Sequence, residues 1–432
     1  MSFTSLVRTG IQGCARPSLV LRHDQGRPAV ATASNPVETK TRRYQMLDVW
    51  RGLICLLVVL EHAAVALWER GGEGSGFDGW SRSSIVWLLT LNIGTPLFFV
   101  MSGYCIAASV ESSRRKGHGP LAFLTRRFWR IFPTYWVALL GFVVFVLAVD
   151  ATGVARYRQN SLSLELGTPR DLSLAQWVGN LTLTETWRHH LGLDASLPVV
   201  FTRVAWSLCY QEQFYIVCCL ALWLAPRRFF PALGAATLAI LGYRILLWDS
   251  GGLTSIEGTF LYAWHEFAVG LAVYWRLNAG RSATPLARRG VDAFITLIAV
   301  AGLLSDYRST AAAGLFGLLL IGLFRWDDLA GRLACLEPLR ACGRRSFSIY
   351  LSHLPVTIAG NQLLSELGID SFWARALVMI PLVMLAAIAV GWVFHHLVER
   401  HFLGAPPSLR LHAHPALAPR LATVESVSAR AA

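Results

Sequence analysis

The sequence predicts an all-α, multi-pass membrane bundle of about ten transmembrane helices with both termini cytoplasmic. Three observations carry this reading. Of 432 residues, 54% are hydrophobic and only 15% charged, with a mean hydropathy of +0.47, whereas soluble domains carry about a quarter charged residues. The apolar residues gather in blocks of about 20, the length that crosses a bilayer core as helix. Arginines fall in alternate connections, as they do when those loops face the cytoplasm.

The net charge of +13 therefore reads as topology. No zinc finger, basic helix or RNA-binding signature accompanies it, so nucleic acid is not an expected partner. The sixteen tryptophans suit the water–lipid boundary. The eight cysteines lie mostly inside apolar runs without a paired CxxC array, which makes them small core hydrophobes. No metal is expected.

Residues 1–43 read as a disordered basic N-terminal tail, 44–402 as the transmembrane domain, and 403–432 as a disordered C-terminal tail. The expected spans are 46–68, 84–109, 131–149, 204–225, 229–249, 256–277, 291–305, 310–324, 346–365 and 373–397. The seventh and eighth are short enough to form a re-entrant pair. The connection 110–130 carries Arg114, Arg115, Lys116, Arg126, Arg127 and Arg130 against Glu111, whereas 250–255 and 366–372 carry no arginine or lysine. The first connection is thus cytoplasmic and the other two external. The long external segment 150–203 contains LAQWVGNLTLTETW (Leu174–Trp187), an interfacial helix or a lid.

The first span holds three ionisable residues in RGLICLLVVLEHAA, Arg51 to Ala64. Charge at membrane depth costs several kcal/mol unless it is paired or faces a water-filled cavity. Arg51 and His62 are eleven residues apart, three turns plus about 20°, so they share one face and lie roughly 16 Å apart along it. Asp48 and Cys55 share that stripe, while Glu61 points roughly 100° away. Counting from the outer ends, Glu212 of the fourth span lies roughly 12 Å deep and His62 roughly 9 Å. The two are placed to meet, with the carboxylate fixing the imidazole's tautomer. Gln211 and Gln213 flank the glutamate. His265 and Glu266 lie roughly 14 Å deep in the sixth span, as a structural pair or a second functional one.

An inner layer holds Arg51, Arg126, Arg127, Arg130, Arg344, Arg345 and His353. Arginines at a membrane boundary neutralise phosphates bidentately, although inward-facing loops are arginine-rich in any case. A basic inner mouth with an outer histidine and carboxylate suits acyl transfer from a phosphate-bearing donor to a hydroxyl, with histidine as general base. A proton-coupled transporter uses the same residue types. Spacing alone leaves both open.

Six segments, in order from about Tyr44 to Phe402, carry a resemblance: YQMLDVWRGLICLLVVLEHA, FFVMSGYCI, RRFWRIFPTYW, AWSLCYQEQFYI, SFSIYLSHLPV and LVER. The sequence resembles the acyltransferase 3 family of integral membrane proteins. That resemblance implies about ten helices and a cytoplasmic acyl-CoA donor, with acetyl-CoA favoured. The acceptor it implies is a hydroxyl on an exopolysaccharide or other surface polysaccharide, a lipid-linked glycan or a secreted small molecule. It implies His62 as catalytic base with Arg51 as its motif partner and Glu212 as an essential acid. Arg127 and Arg130, with Arg126 beside them, become the donor-binding arginines, and Ser102–Gly103 a packing element. Two positions depart from the family pattern: Glu61 stands where an aromatic or apolar residue is usual, and CYQEQ leaves a single acid in the fourth span. The expected partners are acyl-CoA, the hydroxyl acceptor, membrane lipid and polysaccharide-biosynthesis proteins, and the expected location is the cytoplasmic (inner) membrane. The alternative is a transporter or flippase of a lipid-linked glycan or anionic solute. A structural subunit without activity would leave the aligned ionisable residues unexplained.

Overall fold

The computed structural model describes residues 44–70, 79–80, 83–84, 87, 93–151, 168–192, 197–248, 252–305, 307–369, 372–404 and 406. Both expected tails lie largely outside these residues. Every regular element among the described residues is helical. The helices are α1 (Leu47–Arg70), α2 (Gly94–Arg115), α3 (Pro120–Ala151), α4 (Leu174–Thr182), α5 (Trp206–Leu224), α6 (Phe229–Trp248) and α7 (Phe260–Tyr274). They continue with α8 (Pro285–Leu304), α9 (Arg308–Leu323), the short α10 (Asp327–Gly331), α11 (Glu337–Arg344), α12 (Ser346–Glu366) and α13 (Phe372–Leu397). Each expected span overlaps one of these helices, and the segment 150–203 contributes α4. Among the described residues, four stretches are long and apolar enough to cross a membrane by length and composition: Pro120–Ala151, Pro226–Trp248, Arg308–Gly331 and Trp373–Leu397.

Boundaries differ where polar residues continue a helix. The third expected span begins at 131, yet α3 begins at Pro120, because proline suits the first helical turn and the RRFWR run simply extends the helix. The seventh begins at Pro285 rather than 291, where the Thr284 hydroxyl accepts from the Ala287 N–H, a helix-start arrangement. Most of 84–92 lies outside the described residues, so the second span is seen as α2 alone.

The packing that matters for the site is around α1 and α2. Gly103 of α2 and Gly270 of α7 let the two backbones touch: a Cβ at Gly103 would overlap the Phe267 carbonyl, and one at Gly270 the Val100 carbonyl. Small residues permit this approach between apolar helices. Helix α1 is held at both ends. The buried Asp327 carboxylate accepts from the Gln45 and Met46 N–H groups, each at 2.9 Å. Near the other end, the buried Glu61 carboxylate accepts from the Ile93 and Gly94 N–H groups at 2.9 and 3.2 Å. Orphan donors at a helix start favour an anion there, so Glu61 caps α2. It does not tune its neighbour His62.

Candidate active site

Helices α1, α2, α3, α5 and α12 enclose a cavity of about 390 Å³. Its basic wall comprises Arg51, Arg127 and Arg130, and Gln211, Ser102, Ser207, Tyr215, Ser346 and Tyr350 add polar groups. Val58, Phe98 and Met101 supply apolar wall. Helical periodicity explains the convergence: Ser207, Gln211 and Tyr215 recur every four residues on α5, and Arg127 and Arg130 are three apart on α3, so each set shares a face.

The three guanidinium groups are held differently. Arg51 donates to the Ser346 hydroxyl at 3.0 Å and faces Asp48 at 3.5 Å. Arg127 donates at 3.5 Å to the Cys105 carbonyl and lies over the Phe123 and Tyr215 rings at 5.7 and 5.4 Å. Arg130 has no hydrogen bond and no ion pair among the described residues, although Arg51, Arg127 and Glu399 act on it electrostatically. A cavity-lining guanidinium with unused donors is a site for an oxyanion. Arg126 differs: its guanidinium donates to the Ser113 hydroxyl at 3.2 Å and is not part of the cavity wall. Of the arginines expected to bind the donor, Arg127 and Arg130 line the cavity together with Arg51, and Arg126 does not.

His62 stands one turn beyond Val58, just past the cavity wall. Its Nδ1 lies 2.8 Å from the Val58 carbonyl. A carbonyl only accepts, so Nδ1 carries the proton and the neutral ring keeps its lone pair on Nε2. His353 repeats the arrangement, with Nδ1 2.7 Å from the Tyr350 carbonyl and a buried Nε2 without a partner. The two imidazoles meet edge-on, centroids 5.0 Å apart. Tyr350 stacks on Phe98 at 5.8 Å, so this aromatic pair stands between the cavity and the histidines.

Two sequence expectations are corrected. His62 and Glu212 do not meet: no hydrogen bond or ion pair joins them among the described residues. Glu212 acts instead with Arg127, and its buried Oε1 lacks a hydrogen-bond partner. Depth had matched, but Gln211 takes the cavity side of α5, where it donates to the Ser102 hydroxyl, and its neighbour Glu212 is turned roughly 100° away. His353 belongs to the level of His62 and not to the inner layer, because α12 starts at the depth of Arg51.

The remaining candidates serve the frame. Gln213 bridges the Cys209 and Gly258 carbonyls and accepts from the Phe260 N–H. His265 lies 2.9 Å from the Thr310 hydroxyl and 3.8 Å from Glu266, apart from the cavity wall. Sequence reasoning missed Glu399, whose buried carboxylate takes Ser348 at 2.5 Å and His395 at 2.8 Å. Its signals were its place in the LVER segment and an acid four residues after a histidine near the end of an apolar helix. No group of three or more His, Cys, Asp or Glu side chains among the described residues is arranged to hold a metal ion.

A protein named as a membrane-bound transacylase, BcsY of Komagataeibacter xylinus, is 27% identical over 337 residues, 75% of each chain. One named as a peptidoglycan O-acetyltransferase, YrhL of Bacillus subtilis, is 24% identical over 363 residues, 75% of this chain and 54% of its own. The O-acetyltransferase OatA of Staphylococcus aureus is 23% identical over 305 residues, 64% of this chain and 47% of its own. This chain thus spans about half the length of the last two. No solved structure matches. Residues 44–396 match the family model described as an acyltransferase domain, and the chain belongs to the acyltransferase 3 family, as a membrane O-acyltransferase.

Proposed function

We propose that the protein moves an acetyl group from cytoplasmic acetyl-CoA to a sugar hydroxyl of a surface polysaccharide or lipid-linked glycan. The topology proposed with it is ten spans with both termini cytoplasmic, in the inner membrane. The observation that carries the reading is the cavity itself: three guanidinium groups from two helices converge on it, and Arg130 has its donors unused. A CoA-sized polyanion supplies the matching phosphates, and its pantetheine arm is long and thin enough to follow the α1 stripe toward His62. From Arg51 to His62 that path is roughly 16 Å.

In this mechanism His62 is the catalytic base and Arg51, Arg127 and Arg130 hold the donor. The His62 Nε2 lone pair takes the proton of the acceptor hydroxyl as its oxygen attacks the thioester carbonyl. The carbon–sulfur bond breaks and the CoA thiolate takes up a proton, so the products are CoA thiol and an acetyl ester. Glu212 acts through Arg127, opposing its charge at the cavity wall. The name of one similar protein, a peptidoglycan O-acetyltransferase, supports a glycan acceptor.

The test is acetyl transfer by the purified protein with labelled acetyl-CoA and a panel of glycans, beside His62→Ala. Transfer that disappears in the variant while CoA binding persists supports the mechanism. Full transfer by His62→Ala would sink it. Failure of folded wild-type protein to bind CoA would favour a transporter.

A further inference from the structure

Helix α4 leaves an apolar face uncovered. On α4, Leu174 is 81% exposed, Val178 51% and Leu181 44%, and positions four and three apart fall on one side of a helix. The other side is tied to α3: the Tyr135 hydroxyl donates to the Asn180 carbonyl and the Trp136 indole to the Leu181 carbonyl, both at 2.9 Å.

The height of that tie is informative. Trp136 is sixteen residues from Pro120 and fifteen from Ala151, roughly 24 and 22 Å along the helix. It stands only six residues past Arg130, the last basic residue of the inner segment, or roughly 9 Å. Beyond it the exposed side of α3 stays apolar through Leu140, Val144 and Leu147. Helix α4 therefore joins the middle of a stretch suited to cross the membrane, well short of its outer end.

A second, independent observation concerns residues 197–201, which have no regular structure. Irregular backbone is tolerated at membrane depth only where the protein satisfies its polar groups. Here buried side chains do so. Asn180 accepts from the Phe201 N–H and donates to the Val199 carbonyl, both at 2.8 Å. Glu185 accepts from the Val199 N–H at 2.8 Å, and Gln176 donates to the Leu197 carbonyl at 3.0 Å. Glu185 is itself neutralised by Arg188 at 2.7 Å, with both side chains buried.

We propose that residues 168–192 and 197–205 belong to a re-entrant element sunk into the outer leaflet, with Leu174, Val178 and Leu181 facing lipid acyl chains. Lipid is the occupant because the stripe continues the uncovered apolar side of α3. The element ends at the site, where the Tyr350 hydroxyl donates to the Val204 carbonyl. The proposal rests on α3 crossing the membrane and not on the identity of the donor.

The test uses full-length protein in phosphatidylcholine vesicles, with Val178→Cys, Leu181→Cys, Leu140→Cys and Ser255→Cys compared against the parent for reaction with a membrane-impermeant maleimide added outside. All four positions except Leu181 are well exposed, so the substitutions disturb little packing. The thiolate is the reactive species and forms poorly in apolar surroundings, so Val178→Cys and Leu181→Cys should react at least ~tenfold more slowly than Ser255→Cys, like Leu140→Cys. After denaturation all four should react. Bimane attached at position 178 should be quenched by acyl-chain-brominated lipid. Rapid labelling of Val178→Cys with Leu140→Cys protected overturns the proposal. Protection without bromine quenching also overturns it, since a second copy would then cover the face. Rapid labelling of Leu140→Cys refutes the spanning assignment of α3.

Discussion

Replacing Arg130 with glutamine tests the reading of the cavity. The arginine has no protein acceptor among the described residues and lies within electrostatic reach of two other cavity guanidiniums. Its removal therefore breaks no bond of the fold and relieves like-charge repulsion. A hydrogen bond to a charged group contributes about 1.5–3 kcal/mol, and about 1.4 kcal/mol is tenfold in affinity. Acetyl-CoA should bind roughly 10- to 100-fold more weakly to Arg130→Gln. Ligand stabilises the folded state by RT ln(1 + [L]/Kd), about 2.7 kcal/mol at 100 Kd. At the same ligand concentration the variant would retain about 1.4 kcal/mol after a tenfold loss and about 0.4 after a hundredfold loss. The assays are calorimetric binding and thermal unfolding in detergent, with and without ligand. Ligand-free Arg130→Gln should unfold no earlier than wild type. Arg126→Gln, which removes a guanidinium bonded to Ser113 off the cavity wall, should bind within about threefold of wild type, the effect of a screened charge. Equal binding by wild type and Arg130→Gln would refute the argument, as would an equal loss in Arg126→Gln.

Other positions give separable outcomes. His353→Ala should lower turnover by about 10- to 100-fold, the low side of acid–base contributions, while donor affinity changes little. Unchanged turnover would leave the imidazole pair as packing. Glu61→Gln weakens two bonds to the start of α2 and should cost about 1–2 kcal/mol, seen as earlier unfolding in detergent. Gly103→Ala forces a Cβ onto the Phe267 carbonyl and should cost about 1–3 kcal/mol. A variant as stable as wild type would contradict the close α2–α7 approach.

The helices were legible because most apolar blocks are long and most connections carry glycine, proline or charge. The start of α3 was not, because arginines read as loop although they continue a helix as readily as leucine does. Arg51, Arg127 and Arg130 were legible only as members of a larger inner layer, because residue type and boundary position do not say which arginines face the cavity. The pairing of His62 with Glu212 was misjudged for a geometric reason. Counting residues from a span's end gives depth, but which way a side chain points depends on how each helix is turned toward its neighbours. That turning sent Gln211 to the cavity and Glu212 to Arg127. His353 was misplaced because its depth depends on how far α12 is sunk at its start, which the Arg51–Ser346 bond reveals.

The cap that Glu61 places on α2 has a dynamic consequence. Adjacent residues on a helix diverge by roughly 100°, so a carboxylate fixed on the start of α2 also fixes the azimuth of α1, and with it the direction in which His62 leaves the backbone. Turning α1 about its axis would strip two backbone N–H groups of their acceptor in a dry interior. In the proposed mechanism, movement of the His62 imidazole between donor and acceptor therefore belongs to its two side-chain torsions. Torsional motion of that kind is far faster than the microsecond-to-millisecond shifts of whole helices, so reorienting the base need not limit the turnover rate.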